Sequence, residues 1–78
     1  MTSLEQLPVG VKARVEQLQG GYGFLQKVRD LGIGEGQVVR KIQQTGRGPV
    51  LIECGELRVA IGHGIAQRIF VQELSEGQ

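Results

Sequence analysis

Apolar and polar positions alternate near the start of the chain: Val9, Val11, Ala13 and Val15 are separated by Gly10, Lys12, Arg14 and Glu16. A period of two sets one face of a strand against a core and the other in water, so this segment predicts a first β-strand. Gly20-Gly21 breaks the alternation, and from Tyr22 the period changes. Phe24, Leu25, Val28 and Leu31 fall within an arc of about 120° on a helical wheel, which predicts a short amphipathic helix with Gln26, Lys27, Arg29 and Asp30 outward. So short a helix is marginal in isolation, and its stripe must pack on the sheet. Gly32 supplies a left-handed stop, and Ile33 is placed to fold back onto the last turn.

Gln37 to Gln44 predicts a second strand through Val38, Val39 and Ile42, and Thr45-Gly46-Arg47-Gly48-Pro49 is a turn by composition. Val50, Ile52 and Cys54 share one face, as do Leu57, Val59 and Ile61. A two-residue loop at Cys54-Gly55 pairs Ile52 with Leu57 and Val50 with Val59, so that these four residues form one wall. Cysteine tolerates positive φ poorly at the first loop position, which leaves a longer, bulged turn as the alternative. Gly62-His63-Gly64 interrupts the sheet, Ile65-Ala66-Gln67 has room for one helical turn, and Ile69, Phe70 and Val71 close the barrel.

The fold class that follows is mainly β: a small closed SH3-like β-barrel of about five strands, with a short helix after strand 1 and a helical turn before the last strand. It forms one domain over residues 1–74, and residues 75–78 are expected to fray.

A chain of 78 residues buries a smaller share of its surface than a larger domain, so modest stability is expected. With 40% hydrophobic and 22% charged residues it has the composition of a folded, soluble protein. Nine basic residues, Lys12, Arg14, Lys27, Arg29, Arg40, Lys41, Arg47, Arg58 and Arg68, are spread along the sequence and read as solvated charges. The net charge of +1 is too small to hold nucleic acid without strong clustering. The single cysteine, Cys54, cannot form an internal disulfide, which suits a cytosolic location. Met1 to Gly10 lacks the basic start and apolar core of a signal peptide. No apolar run approaches the roughly 20 residues that span a bilayer, so no direct membrane insertion is expected.

Candidate chemistry is sparse. His63 lies between two glycines with no carboxylate placed by the sequence to orient it, and Cys54 sits on an inward strand face, where cysteine acts as a small hydrophobe. There is no C-x-x-C, H-x-H or E-x-x-H, so neither an enzyme nor a metal or cofactor site within one chain is expected. The run Gly32-Ile33-Gly34-Glu35-Gly36 follows a helix instead of leading into one, the wrong context for phosphate binding. Phe24 and Phe70 read as packing residues, whereas Tyr22 lies at the flank of the helical stripe, on the core boundary, and is the aromatic available for contact. The residues placed to meet a partner are Tyr22, Lys27, Arg47 and His63.

Five blocks in order are Leu7-Pro8-Val9-Gly10 with Ala13-Arg14-Val15, Leu31 to Gly36, Gly48 to Ile52, Leu57 to Ile61, and Ala66 to Val71. Their spacing, from about Leu4 to Leu74, resembles the ferrous iron transport protein A (FeoA) family. Two departures are Glu35, where the family usually has proline, and Val59 to His63, where it often reads A-L-R. The resemblance implies an SH3-like cytoplasmic accessory protein of bacterial ferrous iron uptake. Its implied partner is FeoB, a membrane permease with a G-protein domain, which would hold it at the inner face of the membrane. Both stimulation of GTP hydrolysis and scaffolding fit the family. An arginine supplied in trans would be Arg47, whose plainer role is that of a solvated turn residue. The alternative is an SH3-like regulatory module of an iron-dependent transcription regulator, but those carry a winged-helix domain ahead of the module and these 78 residues contain none. A third class, an RNA-binding module, predicts steep salt dependence. The sequence leaves the oligomeric state open.

Overall fold

The computed structural model describes residues 1–75. Its elements are β1 (Thr2–Ser3), β2 (Lys12–Leu18), α1 (Tyr22–Asp30), β3 (Val38–Gln44), β4 (Val50–Cys54), β5 (Leu57–Ile61), α2 (His63–Ala66) and β6 (Ile69–Glu73). All strands pair antiparallel in one sheet, in the order β1-β6-β2-β3-β4-β5. This is the mainly β, SH3-like arrangement expected, with a two-residue strand added at the start. Pairing does not close the ring, because β1 and β5 are the two ends of the order. Of the expected tail, Ser75 is exposed outside any element and residues 76–78 lie outside the described residues.

The alternation at the start of the chain serves only part of its length. Ala13 and Val15 are buried, but Val9 is 56% exposed and Lys12 begins the strand. Beyond Val15 the partner register on β6 shifts, leaving Glu16 as an extra residue between Val15↔Val71 and Gln17↔Phe70. A second bulge lies in β3, where Ile42 falls between Lys41↔Ile52 and Gln43↔Leu51. Bulges bend a strand and increase its twist, which lets a sheet this small wrap around one core.

Helix α1 ends as its sequence requires. Gly32, with φ of 86°, donates its amide to Arg29 O at 2.9 Å, and Ile33 donates to Val28 O at 3.2 Å, the two bonds of a Schellman motif. Val28 is fully buried, Phe24 and Leu31 pack against the core, and Leu25 reaches the edge of the stripe and is exposed.

The β4–β5 hairpin has the expected faces but a different register. Cys54 pairs with Leu57, Ile52 with Val59 and Val50 with Ile61, so the loop is Gly55-Glu56. A shift of two preserves which side chains face inward. What selects it is Gly55, which takes φ of 63° at the first loop position, while no non-glycine residue among those described has positive φ. That is the II′ pattern, and it spares Cys54 a strained conformation. The shift also revises the wall: Ile61 is fully buried in place of Leu57, which stands at the hairpin tip and is 68% exposed. Gly55→Ala is therefore expected to destabilise the protein by about 1 kcal/mol, read as a lower urea midpoint with an unchanged circular dichroism spectrum. An unchanged midpoint would contradict the turn assignment.

The core holds two further departures. Leu4 and Leu7, outside any alternating pattern, are fully buried, and Leu4 N donates to Ile69 O at 2.7 Å. Lys41, expected to be solvated, is only 1% exposed. By strand parity it follows Val39 inward, and its Nζ donates to the Glu5 carbonyl at 2.8 Å and to Gln44 Oε1. Burial lowers its pKa from the ordinary 10.5, and nearby Glu5 partly opposes this.

Candidate partner-binding surface

Helix α2 is only one turn long and is positioned from both sides. Ala66, fully buried, donates its amide to Gly62 O at 2.9 Å, and its carbonyl accepts from Glu5 N at 3.3 Å. The following residues bond back into the turn, Gln67 N to His63 O at 3.1 Å and Arg68 N to Ile65 O at 3.0 Å. These bonds fix His63, Gln67 and Arg68 at the surface while Ala66 anchors the turn to the core.

Between α1 and α2 runs a groove of about 490 Å³ lined by Gly23, Phe24, Lys27, Gly62, Gly64, Ile65, Gln67 and Arg68. Phe24 and Ile65 are half-buried and packed on the core, giving it apolar surface. Lys27 and Arg68 are exposed cations in its lining, and three glycines leave parts of its wall as bare backbone. An extended apolar segment bearing acidic residues matches that combination of surface and charge.

A second, more polar depression of about 500 Å³ is lined by Glu5, Gly46, Arg47, His63 and Gln67. Gln67 belongs to both hollows, which therefore adjoin. The Gln67 amide nitrogen lies 3.4 Å from His63 Nε2, and His63 Nδ1 is buried without a hydrogen-bond partner among the described residues. Glu5 shares this depression with His63, yet the described hydrogen bonds include none between them.

Of the four residues expected to meet a partner, the fold sets Lys27 in the groove and brings Arg47 and His63 together in the adjoining depression. Tyr22 begins α1, immediately before Gly23 of the groove, and is 83% exposed, so it is not a core-boundary residue. At 3.6 residues per turn it lies about 200° around the helix from Phe24, on the side away from the core, and this leaves its ring in solvent. Sequence reading missed Gln67 and Arg68, which gain importance only from the proximity of the two helices. Cys54 is a free cysteine, half-buried and packed against the core. Among the described residues no three His, Cys, Asp or Glu side chains are grouped so as to hold a metal ion. No described helix is long and apolar enough to cross a membrane.

Residues 2–73 match the family model described as the FeoA domain. The Fe(2+) transport protein A of Methanocaldococcus jannaschii is 31% identical over 68 residues, covering 87% of this chain and 82% of that protein. A crystal structure of the iron uptake regulatory protein FeoA superposes with a TM-score of 0.89 at 32% identity, over 94% of this chain and 97% of the other. A manganese-dependent transcriptional repressor superposes with a TM-score of 0.85 at 20% identity, over 92% of this chain and 41% of its own, a likeness of fold alone.

Proposed function

Because this chain belongs to the FeoA family, an accessory family of ferrous iron transport and not a family of enzymes, we propose that it binds and regulates a FeoB-type permease from the cytoplasmic side. The observation that carries this reading is the groove between α1 and α2, with apolar surface from Phe24 and Ile65 flanked by Lys27 and Arg68. Apolar surface ringed by charge suits a protein partner: burial supplies affinity, and the cations select an acidic sequence and speed encounter. A long, single-sign surface able to hold a phosphate backbone is not what this face presents, since Glu5 adjoins Arg47 and His63.

The test is co-purification with FeoB from the same genome in membranes where the permease is active. Lys27→Glu with Arg68→Glu is expected to weaken capture by at least about tenfold, with an unchanged thermal midpoint because both side chains are exposed. Capture that persists undiminished would overturn the assignment of this face. Arg47, exposed in the β3–β4 turn, is the residue available to act on the permease's G-protein domain. Arg47→Ala with unchanged FeoB GTP hydrolysis would leave a scaffolding role in its place.

A further inference from the structure

Basic residues that are scattered in the sequence meet across the sheet, beside a cleft that shares no lining residue with the α1–α2 groove. Lys12 of β2 is paired with Arg40 of β3, Arg40 with Glu53 of β4, and Glu53 with Arg58 of β5. The row therefore reads Lys12, Arg40, Glu53, Arg58 across four strands, with Arg14 two residues along β2 from Lys12.

Hydrogen-bond parity shows how close the first two are. Lys41 N donates to Val11 O and Val15 N donates to Gln37 O, so the bonded pairs of β2 and β3 are at odd-numbered positions of β2. Lys12 and Arg40 consequently form a non-bonded pair, the type in which facing side chains lie closest. Two like charges directly opposite each other oppose folding. The acids nearby do not neutralise them: Glu16 pairs with Arg14 at 3.0 Å and Glu53 approaches Arg58 at 3.9 Å. Neither Lys12 nor Arg40 has an ion pair among the described residues, and Arg40 Nε is buried without a hydrogen-bond partner. The two cations open onto a cleft of about 290 Å³ whose lining also includes Val38, 46% exposed, and Glu53.

From this arrangement we propose that the Lys12–Arg40 cleft is a second docking site, which takes a carboxylate of an acidic peptide segment between the two cations and an aliphatic neighbour over Val38. A carboxylate would supply the missing acceptor for Arg40 and remove the repulsion across the pair. Nucleic acid fits less well, because Glu53 and Glu16 interrupt the positive field and β2 to β5 carry no aromatic side chain on which a base could stack. The site is independent of the α1–α2 face, and its test does not involve the permease.

A fluorescein-labelled peptide of alternating Glu and Val, titrated into the full-length 15N-labelled chain, is expected to shift the amides of Lys12, Val38 and Arg40. Lys12→Gln and Arg40→Gln should each weaken binding by about fivefold to tenfold. Glu53→Gln should strengthen it by about threefold, an effect that a merely structural role for the row would not produce. Thermal midpoints of the Lys12 and Arg40 variants are expected to hold or rise, since each relieves a like-charge pair. Three results would overturn the proposal: no saturable shift at these amides, equal binding of the Gln-Val peptide, or equal binding of a uridine oligonucleotide, the last assigning the cleft to nucleic acid.

Discussion

Lys41→Ala is expected to destabilise the protein by about 3 kcal/mol, a large part of the roughly 4–12 kcal/mol that a chain of this length has in total. Two losses combine. The aliphatic stem fills core volume between Glu5 and the β3 bulge, and the Nζ bond at 2.8 Å is the tie between the Glu5 carbonyl and the sheet. Removing it leaves a cavity and an acceptor without its donor. The thermal midpoint should fall by on the order of 10–20 °C, and a change within a few degrees would show that the buried position is not maintained.

Lys41→Met separates the charge from the stem. It retains most of the volume, so its cost at neutral pH should be much smaller than that of alanine. The pH dependence follows from the lowered pKa of Lys41, caused first by desolvation and opposed by Glu5. Between the folded pKa and the ordinary 10.5, the unfolded chain binds the proton that the native chain has released. Stability contributed by this group therefore rises with pH across that window, and the burial penalty is fully present below it. Urea midpoints measured from neutral pH to about pH 10 should move in favour of the wild type relative to Lys41→Met. A difference that stays flat, or runs the other way, would contradict the sign.

Ile52→Ala carries a cost of about 3–4 kcal/mol. Ile52 is fully buried on β4, with Lys41 opposite on one side and Val59 on the other, so neighbouring strands limit collapse of the cavity. Leu57→Ala, two residues along the hairpin from Val59, should cost less than about 0.5 kcal/mol because its side chain is 68% exposed. In the Cys54-Gly55 loop register these two leucine and isoleucine positions would face each other and lose comparable stability. Urea denaturation of the pair of variants therefore distinguishes the two registers directly.

Much of the architecture could be read from periodicity. The helix from Tyr22, its stop at Gly32, the paired apolar faces of β4 and β5 and the helical turn before β6 all follow from local pattern and turn chemistry. What escaped has a common cause, in that it depends on neighbours remote in sequence. Leu4 and Leu7 follow no period because they enter the core from a turn, anchored by the bond from Leu4 to Ile69. Lys41 sits at an inward parity, but lysine is read as solvent-facing unless a buried acceptor is known, and that acceptor is the carbonyl of Glu5.

The candidate surfaces behave the same way. Lys27, Arg47 and His63 could be named as candidate chemistry, but the hollows they line arise only when α2 is set beside α1 and the β3–β4 turn. The Lys12, Arg40, Glu53 and Arg58 row exists only once three strand pairings are in register. A near-neutral net charge hid that local accumulation.

Strand order also governs how the chain can assemble. β6 lies between β1 and β2, although it is the last strand in sequence. While the polypeptide emerges from a ribosome, β2 to β5 can zip together as successive neighbours, but β1 and the outer side of β2 wait for a partner not yet synthesised. Leu4 and Leu7 wait with them, since the segment is tied down through Ile69 and Ala66. Until β6 arrives, the nascent chain presents an unpaired strand edge beside apolar residues, the state most vulnerable to association with another chain.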